Sequence, residues 1–327
     1  MKYLVDIPPD NDAALNLATE EYILRNLDIG HDYVLLYVNQ PAVVIGRHQN
    51  IYEEVNLPFT FRQNIPVYRR ISGGGTVYHD PGNLNFSFIT RYEKFKFNNY
   101  RYFNEPIIDF LNKMGVPARH SDRNDMLIHD KKFSGNAQFT SRDRMVSHGT
   151  LLYNADLKSL SSALEVSQKE ITSRATKSRR SPVTNLSDYF TTPPAISEFR
   201  ESLISHLFQK DGATRVLKLE DHDLKKIKQL AAEKYRQWEW TYGESPDSTL
   251  QASVDTPDGK ISCTMEVSKG RIKNLTFKGL GISESEAETL GNLFFGQRLY
   301  PKDISGVLKQ VSFLEGEALR YLNDLFF

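Results

Sequence analysis

Three consecutive glycines sit inside the run Arg69-Arg70-Ile71-Ser72-Gly73-Gly74-Gly75-Thr76-Val77-Tyr78-His79-Asp80. Glycine loses more backbone freedom on folding than any other residue, and a plain turn rarely needs three in a row. Between a pair of arginines and a strand-like segment, they describe main chain that an anion approaches closely, with fixed positive charge beside it. The run lacks the Gly-Lys-Ser/Thr ending of a P-loop and the spacing of a dinucleotide fingerprint, and no helical pattern follows. A flexible turn between strands is the alternative. Alternation along a strand sends Arg69 and Arg70 to opposite faces, so one of them, Arg70 on the ligand reading, meets the anion while the other pairs structurally.

The flanking pattern sets the fold class. Asn11 and Asp12 can cap a helix carrying Leu15, Ala18 and Tyr22 at helical spacing. Short apolar runs at 34–38, 42–45 and 66–71 read as strands. Leu84, Phe86 and Phe88 alternate with Asn83, Asn85 and Ser87, the period of a half-buried strand. Ile107, Phe110, Leu111 and Met114, stopped by Gly115, predict a helix. Residues 126–128, 133–139 and 150–153 suggest more sheet, with a turn at Asp130-Lys131, and Leu157, Leu160 and Leu164 mark a short helix. Short strands and tight turns with helices interspersed do not give the regular strand–helix alternation of a doubly wound parallel sheet. They predict an α+β fold with a mixed, largely antiparallel sheet flanked by helices.

Further along, 173–182 is a polar, basic stretch with Arg174, Lys177, Arg179 and Arg180, expected to be a loop, and 195–235 reads as helical. Beyond Trp238-Glu239-Trp240 a small α+β unit is expected. It has strands at 251–255, 261–267 and 272–277, a turn at Pro257-Asp258-Gly259, and two or three closing helices. The expected division is 1–245 for a larger domain and 246–327 for a small C-terminal one.

Composition narrows the class of function. Lys+Arg and Asp+Glu are both 41, a balance that argues against a general nucleic-acid or anionic-membrane binder. Cys263 is the single cysteine, so no intramolecular disulfide forms, which fits a reducing compartment. The N-terminal residues carry no long apolar signal region, and no apolar run reaches membrane-span length; cytoplasm is the expectation. Cysteine pairs and a His-Glu-x-x-His pattern are absent.

Other residues carry candidate chemistry. Lys132 follows a turn and precedes the small residues Gly135 and Ala137, which allow a ligand or backbone close. An ammonium there stabilises a carboxylate attacking a phosphate, or else is a solvated surface group. Asp125, after Asn124, suits Mg²⁺ or an adenine amino group, or caps the next strand. His148 is a general base or a satisfied structural histidine. His79-Asp80 reads as a strand-end turn contact, Cys263 as a buried strand residue, and Trp238, Trp240 and Tyr242 as packing.

Together these residues resemble the lipoate–protein ligase family. The family signature Arg-Arg-x-x-Gly-Gly-Gly-x-Val-Phe/Tyr-His-Asp is matched from Arg69 to Asp80. Lys-x-x-Gly-x-Ala is matched by Lys132, Gly135 and Ala137. His-x-x-Leu-Leu-x-x-x-Asp-x-x-x-Leu is matched by His148, Leu151, Leu152, Asp156 and Leu160. Asn124-Asp125, Val183-Thr184-Asn185 and Trp238-Glu239-Trp240 follow the family as well, and the order agrees over most of the chain. One departure is Pro182, which stands where the family places an arginine directly before Val-Thr-Asn; it brings no backbone N–H.

The resemblance implies a two-step acyl transfer with ATP and Mg²⁺. Lipoate would be activated to lipoyl-AMP and then passed to a lysine ε-amino group on lipoyl domains of 2-oxoacid dehydrogenase acyltransferase subunits or on a glycine-cleavage carrier protein. It implies that Arg70, Gly75, Thr76, Val77, Tyr78 and Lys132 bind ATP and its phosphates, with Lys132 the catalytic residue. It also implies that Lys132, Gly74, Gly75, His148 and Arg47 meet lipoate, with Val44, Ile45 and Gly46 or the strand from Thr76 lining an apolar slot, and that the basic loop closes over the adenylate. The alternatives are an ATP-independent octanoyl or lipoyl amidotransferase of the same fold, which would need a cysteine near these motifs, and a non-catalytic module that binds lipoate or lipoyl domains. A biotin ligase would carry Gly-Arg-Gly-Arg-x-Gly where Gly73-Gly74-Gly75 stands.

Overall fold

The computed structural model describes every residue except Pro8, Pro9, 167–169, Asp258, 280–282, Leu314 and Glu315. The turn expected at Pro257-Asp258-Gly259 therefore falls partly outside the described residues. Two compact units divide the chain, each assembled from separated segments. One takes Met1–Arg47, Tyr68–Leu160 and Arg179–Arg236; the other takes His48–Val67, Ser161–Ser178 and Gln237–Phe327.

The first unit is built on a six-stranded sheet. Its spatial order is Asn136–Ser141, Arg144–Leu152, Asn83–Arg91, Asp32–Val38, Lys2–Asp6 and Val216–Lys218. The first four strands are antiparallel neighbours and the last two join in parallel, which makes the sheet mixed. Two smaller three-stranded sheets accompany it. One orders Val67–Arg69, Ala42–Ile45 and Val77–His79; the other orders Ala118–His120, Met126–Ile128 and Lys131–Ser134.

Alternation gives the large sheet two chemically different faces. Val34, Leu36, Leu84 and Phe86 pack into an apolar cluster with Ile107, Leu111, Phe199 and Leu203 from the helices Tyr100–Lys113 and Ile196–Phe208. Each fully buried side chain of this kind contributes about 1.5–3 kcal/mol. Asn83, Asn85 and Ser87 point the other way. A half-buried strand would leave them to solvent, yet they are 0%, 3% and 0% exposed. The reason is the helix Ala13–Asn26, which lies over that face. Asp12 caps it as expected, its Oδ1 accepting from the Ala14 and Leu15 amides at 2.8 and 3.1 Å. Its Glu20 supplies the acceptor that the buried polar face needs.

Other differences from the sequence reading have local causes. The segment 133–139 is two strands, divided at Gly135 between the small and the large sheet. The strand expected at 150–153 begins at Arg144, because Ser147, His148 and Gly149 are polar or small yet still buried or half-buried. The stretch 195–235 is not helical throughout: Val216–Lys218 is a three-residue strand pairing with Leu4–Asp6, too short to show alternation.

The second unit centres on an antiparallel sheet ordered Glu170–Ser173, Ser248–Thr256, Gly259–Ser268 and Arg271–Lys278. Three helices follow, Glu284–Phe294, Pro301–Leu308 and Glu317–Phe326. Leu250, Ile261, Met265, Ile272, Leu290 and Leu322 are buried there, and so is the free Cys263. Trp238 stacks on Tyr242 with centroids 4.1 Å apart and carries the Arg298 guanidinium 4.7 Å over its ring, which is packing, as expected. The 173–178 part of the basic stretch is fastened to the short helix Ile51–Glu54. Lys177 Nζ lies 2.9 Å from Glu53, the Ser173 hydroxyl also donates to Glu53, and the Ser178 amide donates to Glu54 at 2.8 Å.

Candidate active site

The glycine loop of the first unit is shaped by Arg70 from beneath. Arg70 is 6% exposed. Its guanidinium donates to Ser72 Oγ at 2.9 Å, Val44 O at 3.2 Å, Gly73 O at 2.6 Å and Gly75 O at 2.8 Å. In a trans peptide the N–H points opposite to the C=O that precedes it. Drawing the Gly73 and Gly75 carbonyls toward Arg70 therefore turns the Gly74 and Thr76 amides away from it. The loop thus sets its carbonyls toward Arg70 and the amides that follow them away from it, an arrangement suited to an anion. Gly74 holds φ +86°, and a Cβ there would stand 2.9 Å from an Arg70 nitrogen, so both backbone and space require glycine. Burial lowers the Arg70 pKa to about 10, with Glu20 acting against the shift; the group stays charged at neutral pH.

Arg69 is fully buried and donates to Gly46 O and Arg47 O at 3.0 and 3.2 Å, the structural pairing expected of one of the two arginines. The Arg47 amide in turn donates to Ser72 O at 2.8 Å. Thr76 and Val77 are half-buried, and the Tyr78 ring is buried on the strand that pairs with Val43. Val44, Ile45 and Gly46 are buried.

Behind the loop runs a chain of buried polar contacts. Ser72 Oγ is 2.7 Å from His148 Nε2, and His148 Nδ1 is 2.8 Å from Glu20 Oε2. The other Glu20 oxygen accepts from the Ser87 hydroxyl and, at 3.1 Å, from Tyr37. Burial alone would raise the Glu20 pKa, but His148, Ser87 and Tyr37 outweigh it and hold the carboxyl below its usual value. Both ring nitrogens of His148 are thus engaged within the fold. His79 is buried next to this chain, its Nδ1 2.8 Å from Asn39 Nδ2; burial, and then Arg70, push its pKa down to about 3. Asp80 accepts from the Gly82 and Asp156 amides, which is the turn contact expected of it.

Lys132 stands at the joint of two sheets. Its ammonium is 2.8 Å from Asp125 Oδ1, each side chain 25% exposed. A Cβ on Gly135 would lie 2.9 Å from Lys132 Nζ, so the glycine is what leaves the ammonium its place. The backbone is tied on the far side, with Lys132 N–H donating to Pro182 O at 2.8 Å and Thr184 N–H to Lys132 O at 3.0 Å. Asn124 is locked to Asn136 by two reciprocal side-chain-to-carbonyl bonds at 2.5 and 2.7 Å. The 121–125 turn is thereby fixed beside the lysine.

The strand Asn136–Ser141 brings the motifs together. Ala137 is registered with His148, an added Gly74 Cβ would reach 3.5 Å from the Ala137 Cβ, and Gly135 O accepts the Thr150 amide. Sequence reasoning missed Glu20, Ser72, Tyr37 and Ser87. The available signal was the pair Glu20-Glu21 inside an otherwise apolar helical stretch, facing the polar alternation 83–87. Among the described residues no group of three His, Cys, Asp or Glu side chains is placed to hold a metal, and no helix is long and apolar enough to cross a membrane. Asp125, paired with Lys132, stands without two further such ligands among the described residues, which suits Mg²⁺ carried mainly by phosphate oxygens and water rather than caged by protein.

The sequence matches the lipoyl protein ligase A/B catalytic domain over residues 12–208 and the bacterial lipoate protein ligase C-terminus over 245–321. It is 40% identical over 304 residues to the lipoate-protein ligase LplJ of Bacillus subtilis, covering 92% of each chain. A lipoate-protein ligase A solved with bound ATP superposes with a TM-score of 0.64 at 26% identity, over 75% of this chain and all of that one. A bi-partite lipoate protein ligase of Thermoplasma acidophilum, described with its E2 lipoyl domain, superposes with a TM-score of 0.65 at 27% identity, over 74% of this chain and 96% of that one. The chain belongs to the lipoate–protein ligase family.

Proposed function

We propose that this chain activates lipoate with ATP and transfers the lipoyl group to a lysine of lipoyl domains, with Lys132 as the catalytic residue of both steps. The observation that carries this reading is the Lys132 ammonium, 2.8 Å from Asp125, on the strand that leads through Gly135 into Ala137, which lies against Gly74 of the loop bonded by Arg70. In the first step a lipoate carboxylate oxygen attacks the α-phosphorus, the α–β P–O bond breaks, and pyrophosphate leaves with that electron pair. In the second, the acceptor amine nitrogen attacks the acyl carbon, the bond to the phosphate oxygen breaks, AMP leaves, and the amine gives up a proton. Negative charge grows at the same place in both steps, between phosphate and acyl carbonyl, where a positioned ammonium lowers the barrier.

The outward amides of the glycine loop, with Gly75, Thr76, Val77 and Tyr78, take the phosphates, and Arg70 holds that loop in shape. Arg47, Gly74, Gly75 and His148 border the lipoate, with its dithiolane tail near Val44 and Ile45. Asp125 is the side chain available to Mg²⁺, which supplies charge neutralisation on the phosphates when bound. Residues 1–245 act as the catalytic domain and 246–327 as the accessory one; the limits of the two matched families, 208 and 245, support the division. Acceptors are lipoyl domains of 2-oxoacid dehydrogenases and the glycine-cleavage carrier protein, in keeping with the E2 lipoyl domain of the Thermoplasma system. Cys263, buried in the other unit, is no nucleophile for an ATP-independent transfer. The test is pyrophosphate release from ATP, Mg²⁺ and lipoate, followed by mass spectrometry of acceptor domains. Lipoate binding without pyrophosphate would overturn the reading.

A further inference from the structure

We propose that Glu20 is a positioning residue for the anion loop, acting through His148 and Ser72 on Arg70. The contacts form one directed chain. An ionised carboxylate only accepts, so Glu20 requires a proton on His148 Nδ1, 2.8 Å away. With the ring neutral and its proton on Nδ1, Nε2 is bare and accepts the Ser72 hydroxyl, 2.7 Å away. With its proton committed to His148, Ser72 Oγ offers a lone pair to Arg70 Nε–H at 2.9 Å. That bond fixes the rotation of the guanidinium plane, whose other nitrogens set the Gly73 and Gly75 carbonyls. Glu20 itself is held on its other oxygen by Ser87 and Tyr37, from two neighbouring strands of the sheet. Orientation therefore passes from the sheet to the loop through four side chains, none of which is more than 8% exposed.

Replacing Glu20 by glutamine puts one acceptor and one NH₂ where two acceptors stood. If the NH₂ faces His148, the imidazole must take the other tautomer, Nε2–H then donates to Ser72, and Ser72 Oγ faces two donors. The activity arm of the test rests on the ligase reading; the spectroscopic arm does not.

The experiment joins both arms. Nitrogen-15 spectra of the wild-type protein are expected to show His148 protonated at Nδ1 and bare at Nε2; a proton on Nε2 would overturn the proposal. In Glu20→Gln the Gly74 and Thr76 amide resonances are expected to move and the KM for ATP in pyrophosphate release to rise about tenfold, with kcat changed less than threefold. Ser72→Ala cuts the chain at its other end without disturbing the Glu20 charge and is expected to give a similar KM, with the double variant no worse than the weaker single one. Unmoved amides together with unchanged KM values, or additive effects, would overturn it. Should the wild type release no pyrophosphate, the tautomer and the amide shifts decide the inference alone.

Discussion

Exchanging Arg70 for lysine separates shape from charge at the glycine loop. Lysine keeps the positive charge but concentrates its three donors on one nitrogen, where the guanidinium spreads five over a plane. The guanidinium reaches Ser72 from Nε, Val44 from one terminal nitrogen, and Gly73 and Gly75 from the other. An ammonium keeps about two of these and releases the remainder. Hydrogen bonds to a charged partner contribute about 1.5–3 kcal/mol each. Losing two, with partial relaxation of an exposed Gly74, leaves a deficit of about 3 kcal/mol, or roughly a hundredfold at 1.4 kcal/mol per decade. The assay is kcat/KM for ATP by coupled pyrophosphate release, with circular dichroism and urea unfolding alongside. A hundredfold loss in a folded protein is expected. A variant within threefold of wild type would mean that charge alone matters and that the loop needs no fork beneath it.

Lys132→Ala is expected to abolish adenylate formation by at least about a hundredfold while leaving the urea midpoint nearly unchanged, because the side chain is part-exposed and makes one ion pair; retained pyrophosphate release would remove it from the chemistry. Gly135→Ala inserts a methyl 2.9 Å from the Lys132 nitrogen, a flexible end that yields, so activity should fall about tenfold with less than about 1 kcal/mol lost in stability; equal activity would show that the lysine's place is not set there. His79 binds no proton in the folded state until pH falls to about 3, whereas the unfolded chain binds one below about 6.5, so stability from this group is complete above 6.5 and drains as pH falls. Between pH 7 and 4.5 the wild type should lose about 2.5 kcal/mol more than His79→Gln in urea unfolding; parallel curves would place a charged histidine in the fold.

The apolar half of the sheet was readable because Leu84, Phe86, Ile107 and Leu111 follow strand and helix periods that only a core explains. The polar half was not. Asn83, Asn85 and Ser87 carry the same pattern whether water or protein covers them; Ser87 is met by Glu20, more than sixty residues upstream, while Asn83 bonds Asn85 and Asn85 bonds the Tyr37 carbonyl. Lys132 was legible as a position but not as a geometry. Asp125, open in sequence to Mg²⁺, adenine or a turn, is paired with that lysine. Arg70 read as a ligand contact, and its bonds run to the chain's own carbonyls, a use that charge alone does not announce. The strands Glu170–Ser173 and Val216–Lys218 are too short for their period to appear, and each is a strand through its neighbour.

The backbone pairing around Lys132 also governs which neighbouring positions tolerate change. Position 182 contributes its carbonyl to the lysine's N–H and nothing through its own amide among the described bonds. Proline fits there without penalty, which is why a residue that breaks most ladders interrupts none here. In a saturation library position 182 should therefore accept almost any residue as far as the lysine strand is concerned, while position 135, where any side chain meets the Lys132 ammonium, should accept glycine and, at reduced activity, alanine.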